Sequence, residues 1–163
     1  MKIKLKHMLG FSLIELAIVI VLLGILSSIA GPMIYYTVRA SLAQYDIGDL
    51  DTQGRIAISR MSREIRSARS NEAADLDISS NAQITFVNVS GDTVTYSLSG
   101  TNLMRNSQPL ANNVSGLAFV YLDADGIVTV TNTSVRFIKM TLTLTKETYS
   151  IILNSAVSLR NIE

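Results

Sequence analysis

Few side chains in this sequence can do chemistry, and one carboxylate is conspicuously placed. Glu15 stands in a run, Phe11 to Val38, that is otherwise uncharged. An ionised carboxylate deep in hydrocarbon costs at least about 2.5–3.5 kcal/mol, and less near a helix end, where the head group reaches the interface. Such a group needs a partner. A cut between Gly10 and Phe11 would create one, because the new α-amino group lies four residues, about one helical turn, from Glu15. A neighbouring copy could offer the same amine. Two buried opposite charges that pair would fix the axial register of one helix against the next, and removing one partner would strand the other.

The remaining candidates are weaker. The only histidine, His7, lies before Gly10 and would leave with the leader. The chain has no cysteine, which excludes disulfides, thiolate metal sites, cysteine nucleophiles and a lipoprotein anchor. No Ser-His-acid set, Gly-rich phosphate loop or transition-metal cluster is present, so the sequence predicts neither an enzyme nor a cofactor. Asp123-Ala-Asp125-Gly126 has two readings. Its carboxylates and carbonyls could contribute to a six- to eight-oxygen calcium shell. Asp-Gly is also a common turn, and the full spacing of a twelve-residue calcium loop is missing.

These residues must be held by elements of two kinds. Phe11 to Val38 is 28 residues, roughly 42 Å of helix at about 1.5 Å per residue. That exceeds a hydrocarbon core of about 30 Å, so one span fits. Lys2, Lys4 and Lys6 on the short N-terminal flank predict a cytoplasmic N-terminus, with the rest of the chain outside. Gly31-Pro32 interrupts the run. A mid-helix proline removes a backbone hydrogen bond and crowds the preceding turn, which predicts a kink at Pro32; the alternative is that the span ends there. Beyond it, Ile47, Leu50, Gly54, Ile58, Met61, Ile65 and Ala68 recur at steps of three and four, one face of an amphipathic helix. Asp46, Asp49 and Asp51 precede five arginines, Arg55 to Arg69, an order that suits a helix ending near Ser70. The arginines lack interleaved aromatics and mark the solvated back of that helix, so no nucleic acid is expected.

The formal charge of +1 points the same way. Without the first ten residues, eleven basic side chains face thirteen acidic ones. The opening segment admits three readings. It is a secretory signal peptide cut after Ser28-Ile29-Ala30, a plain membrane anchor, or a leader that ends at Gly10. The first sits badly with the length of the apolar run, with Glu15 inside it and with the helical sequence that follows. The second leaves Glu15 unexplained.

The stretch LGFSLIELAIVIVLLGIL closely resembles the N-terminal signal of type IV pilins and pseudopilins. In that family a short basic leader ends in Gly, a hydrophobic residue follows, and Glu stands fifth in the mature chain. The resemblance implies that a prepilin peptidase cuts after Gly10 on the cytoplasmic face and N-methylates Phe11. It implies that Glu15 aids docking of the subunit with other pilins or pseudopilins, at an inner-membrane assembly platform. It further implies that Pro32 lets the helix bend during assembly. The predicted chain is thus an inner-membrane, single-pass protein of the lipid bilayer that passes into a pilus or pseudopilus filament. Element order and short phrases such as RIAISRMSREIRSA and the terminal SLRN look like PilW-type minor pilins and J-type minor pseudopilins. The missing cysteines, which preclude the C-terminal disulfide loop common in major pilins, favour a minor subunit.

The expected organisation has four parts: a leader (1–10), a membrane or filament-core helix (11–38), an amphipathic helix (39–70) and a β-rich exported domain (71–163). The fold class is α+β, with a long N-terminal helix packed on a C-terminal antiparallel sheet. Residues 70–82 read as loop. QITFVNV and DTVTYSLS, joined by Ser90-Gly91, read as a hairpin, followed by NLMR, VSGLAFVYL and IVTVT. In SVRFIKMTLTLT, Ile138, Met140, Leu142 and Leu144 alternate with polar residues, and Tyr149, Ile151, Leu153, Val157 and Leu159 share one side of the last strand. An antiparallel sheet with one apolar face would cover the amphipathic helix.

Overall fold

The computed structural model describes residues 12–161; Gly10 and Phe11 lie outside the described residues. Among the described residues one α-helix, α1 (Leu13–Ile65), is followed by eight strands. The chain divides into two compact units, the first ending at Gln44 and the second beginning at Tyr45.

The first unit is apolar helix with its surface bare. Leu16, Ile18, Val21, Leu22, Ile25 and Ile29 all stand exposed. A helix that is hydrophobic all round is stable only in lipid or among other helices. The stretch is long and apolar enough to cross a membrane, and none of its most apolar window is buried within the chain. Pro32 lies in the interior of α1, so the helix does not stop there.

The second unit packs residues 45–65 of α1 against two antiparallel sheets. The first is a five-stranded meander of β1 (Leu76–Asp77), β2 (Gln83–Val87), β3 (Thr93–Ser99), β4 (Asn102–Arg105) and β5 (Gln108–Ala111), in that spatial order. The second holds β6 (Val114–Leu122), β7 (Phe137–Lys146) and β8 (Tyr149–Ser158), again in sequence order. Leu50, Ala57, Met61 and Ile65 of the helix are fully buried. They meet Ile84, Phe86, Tyr96 and Leu103 of the first sheet and Phe119, Ile138, Met140, Leu142 and Leu144 of the second in one core. Burial alternates along β7 as its sequence predicts. On the other face of that sheet, hydroxyl pairs tie neighbouring strands, with Thr141 donating to Asn154 Oδ1 at 2.8 Å and Ser115 and Thr145 sharing a 2.8 Å bond. Gly54 is buried against β7 and β8, where a Cβ would overlap the ends of Leu144 and Leu153.

Three expectations shift. The helix ends at Ile65, not near Ser70, because Ser67 turns back on it. Its N–H and Oγ both donate to the Glu64 carbonyl, at 2.9 and 2.7 Å, and such local bonds compete with helix propagation. The chain then runs alongside β2, with Arg69 N–H donating to Val87 O at 2.8 Å and Val89 N–H to Ser67 O at 3.0 Å. Second, Ala57 joins the buried helix face while Ile47 remains exposed. Third, IVTVT is not a strand. Apart from a single bridge between Val128 and Leu122, residues 127–131 lie outside both sheets.

Candidate functional site

Ser12 and Glu15 build the head of α1. Ser12 Oγ accepts the Glu15 N–H at 3.2 Å, and Ser12 O accepts the Leu16 N–H at 3.1 Å. This is the first half of a capping box, in which a Ser at the N-cap satisfies the N–H three residues on and an acidic residue stands at that third position. Ser12 thus fixes the backbone of the first turn. The Glu15 carboxylate is exposed in that turn, and among the described residues it has no hydrogen-bond or ion-pair partner. The positive end of the helix dipole favours a carboxylate here by about 0.3–1 kcal/mol. The serine went unread at the level of sequence, although S-x-x-E ahead of an apolar run is a signature of a helix start.

The arrangement has the chemistry of an electrostatic dock. A helix with no charge for more than twenty residues after Glu15 offers one acceptor group at its head, held on a capped and ordered turn. A cation that reaches that height in an apolar setting meets a single partner. Residues 5–31 match the model of the prokaryotic N-terminal methylation motif. The chain carries the N-terminal signal of type IV pilins and pseudopilins. The matched stretch takes in Gly10, Phe11 and Glu15 and stops one residue before Pro32. No curated protein matches the chain.

The signal-bearing helix continues into the second unit, where a polar cluster fastens it to the first sheet. Glu64 is the hub. Its Oε1 accepts from Arg60 Nε at 2.9 Å, and its Oε2 accepts from Arg105 Nε at 2.7 Å and from the Tyr96 hydroxyl at 2.8 Å. Partial burial pushes the Glu64 carboxyl up, but the three donors, Arg105 foremost, outweigh it and hold the group below its ordinary value. The Tyr96 hydroxyl is pushed up by burial and then by the Glu64 charge. Beyond the helix, Arg69 grips Asp75 through both carboxylate oxygens, and Ser70 adds a bond at 2.8 Å. Arg69 and then Ser70 hold Asp75 low. Lys146 at the β7–β8 turn meets Asp46 at 2.7 Å. Sequence periodicity places Glu64 on the outer face of the helix and gives no sign of this cluster, because its partners Tyr96 and Arg105 lie on strands far along the chain.

Asp123 and Asp125 occupy the turn after β6. Asp123 Oδ1 accepts the N–H groups of Asp125 and Ile127, at 3.0 and 2.9 Å, and Gly126 takes a positive φ of 77°. The Asp123 carboxylate is therefore at work within its own turn. Among the described residues no group of three or more His, Cys, Asp and Glu side chains comes together as a metal site.

Proposed function

We propose that this chain is a structural subunit of a type IV pilus. It enters the inner membrane through the apolar part of α1, with its N-terminus in the cytoplasm. A prepilin peptidase cuts after Gly10 and methylates Phe11. The subunit then leaves the bilayer for a helical filament, in the shaft or at the tip, drawn from the inner-membrane assembly platform. There the bare apolar surface of α1 exchanges lipid for neighbouring helices. Glu15 accepts the charge of a processed N-terminal amine and sets the axial register. Pro32 bends the helix where it enters the filament core.

The observation that carries the reading is where the methylation motif falls on the helix. Residues 5–31 match the motif, and the part of that stretch that lies in α1 is apolar and exposed in the single chain. A surface of that kind needs a second environment, and the motif is that of proteins moved from one such environment to another. The β-rich unit supplies its own core and needs no disulfide.

Mass spectrometry of the mature N-terminus tests this. The expected result is a chain beginning at N-methylated Phe11. A chain beginning at Gly31 would instead establish a secreted protein, and an intact Met1 a plain anchor.

A further inference from the structure

The second sheet leaves one edge open. The hydrogen bonds at its ends fix which residues face that edge. Leu159 N–H donates to Arg136 O at 3.1 Å, and Thr145 N–H donates away from β8, to Asn113 O at 2.7 Å. Pairing between β7 and β8 runs Lys146 with Tyr149 through Phe137 with Ser158. In an antiparallel ladder hydrogen-bonded and non-bonded pairs alternate. The odd-numbered residues of β8 therefore bond β7, and Ser150, Ile152, Asn154, Ala156 and Ser158 turn their N–H and C=O groups outward. All five are exposed, Ile152 by 63%. Among the described residues no strand pairs with the outer side of β8.

Edges of this kind are normally blunted by shortness, proline, charge or a bulge. The first sheet obeys. Its edge strand β1 has two residues, and its other edge, β5, contains Pro109. The β8 strand has ten residues, YSIILNSAVS, with no charge, no proline and no bulge. It is built to take another strand.

The same unit presents a segment with the complementary need. Residues 127–131, IVTVT, are β-branched throughout and uncharged, a composition suited to strands. Yet Ile127, Val128 and Val130 are exposed, Val130 by 91%. The segment touches the outer side of β6 through Thr129 N–H to Tyr121 O at 3.0 Å and the Leu122–Val128 bridge. It thus lies at the β6 edge of the sheet, across from β8, and cannot reach the β8 edge of its own chain.

We propose that residues 127–131 of one copy add as a strand to the outer edge of β8 in the next copy. Main-chain hydrogen bonds would give the contact its strength, and Ile152 and Val130 would cover one another. The two patches differ and sit on opposite edges of one sheet, so the contact is heterologous. It propagates head to tail instead of closing into a two-fold dimer. The inference rests on the filament reading above and adds a contact between the β-rich units to the one between helices.

Because the natural chain has no cysteine, thiol cross-linking reads the contact without background. The full chain would carry Val130→Cys together with Ser150→Cys, Ile152→Cys or Asn154→Cys in turn, and cells making it would receive a short bis-maleimide. The expected result is a ladder of dimers, trimers and higher species for at least one pair. Each single variant, and Val130→Cys with Val89→Cys, should stay monomeric. In parallel, Ile152→Lys should lower incorporation into filaments at least tenfold with an unchanged melting temperature, and Ile152→Thr should restore it. Overturning results are a chain that begins at Phe11 and enters filaments without any ladder, or Ile152→Lys incorporated at the wild-type level. A chain that keeps Met1 and never enters filaments would sink the filament reading, and this contact with it.

Discussion

Glu64→Ala is the substitution whose cost the structure sets most directly. The Glu64 carboxylate takes three donors within 2.9 Å, from Arg60, Arg105 and Tyr96. Arg60 is well exposed and loses little. Arg105, with 29% of its side chain accessible, can turn partly to water. Tyr96 is fully buried, so its hydroxyl is left without an acceptor. A buried donor stranded in this way costs about 1–3 kcal/mol, and a hydrogen bond to a charged group contributes about 1.5–3 kcal/mol. Allowing for the solvent around Arg105, the sum is about 3 kcal/mol, or roughly 12 °C of melting temperature for a unit of this size. Thermal unfolding of the full chain in detergent, followed by tyrosine near-ultraviolet circular dichroism, would show it. Glu64→Gln keeps an acceptor for Tyr96 and should lose about half as much. The pH dependence has a definite sign. Because the folded Glu64 carboxyl lies below its ordinary value of 4.5, its contribution is complete above that value and is lost as pH falls through the lowered one. The gap between wild type and Glu64→Gln should therefore narrow between about pH 5 and pH 3. A melting temperature for Glu64→Ala within about 2 °C of wild type, or a gap that does not change on acidification, would refute the reasoning.

Gly54→Ala pits two effects against each other: alanine gains about 1 kcal/mol of helix propensity over glycine, but its Cβ overlaps Leu144 and Leu153. Overpacking of this kind costs about 1–3 kcal/mol, so the same melt should show a net loss or no gain, and a rise in melting temperature would mean that the ends of Leu144 and Leu153 can turn aside. Glu15→Ala should leave cleavage after Gly10 intact while incorporation into filaments falls sharply, as read by comparing the processed pool in membranes with the sheared fraction. Normal incorporation would count against a register set by this carboxylate.

How far the sequence carried the fold depended on how local each cause was. The alternation in β7 was legible because one strand buried on one face dictates period two by itself, and Ile138, Met140, Leu142 and Leu144 are all fully buried. The helix end was not, because Ser67 and the pairing of residues 67–69 with β2 decide it, and neither shows in helical periodicity. Nor was β5, where Pro109 argues against a strand unless that strand lies at an edge. The failure at IVTVT differs in kind. Its composition is that of a strand, yet among the described residues it makes a single bridge, to Leu122, and joins neither sheet. A strand signal that the monomer leaves unsatisfied is information about what the monomer lacks.

The candidate site follows the same logic at the other end of the chain. Gly10, Phe11 and Glu15 were legible because they fall within the N-terminal methylation motif, a pattern fixed in sequence and not in space. Ser12 was overlooked because its work is local and becomes plain only in the hydrogen bond to Glu15 N–H. That bond bears on function. In a full capping box the acidic side chain folds back toward the cap. Here Ser12 secures the turn from its own side, and the Glu15 carboxylate stays exposed, with no partner among the described residues. The first turn is thus ordered before a neighbour arrives, while the charge that would recognise the neighbour remains uncommitted. Pairing would then cost little additional ordering. Bare helix, open sheet edge and unpaired carboxylate are three unmet needs of different chemistry in one chain, and a row of identical or similar subunits would meet all three at once.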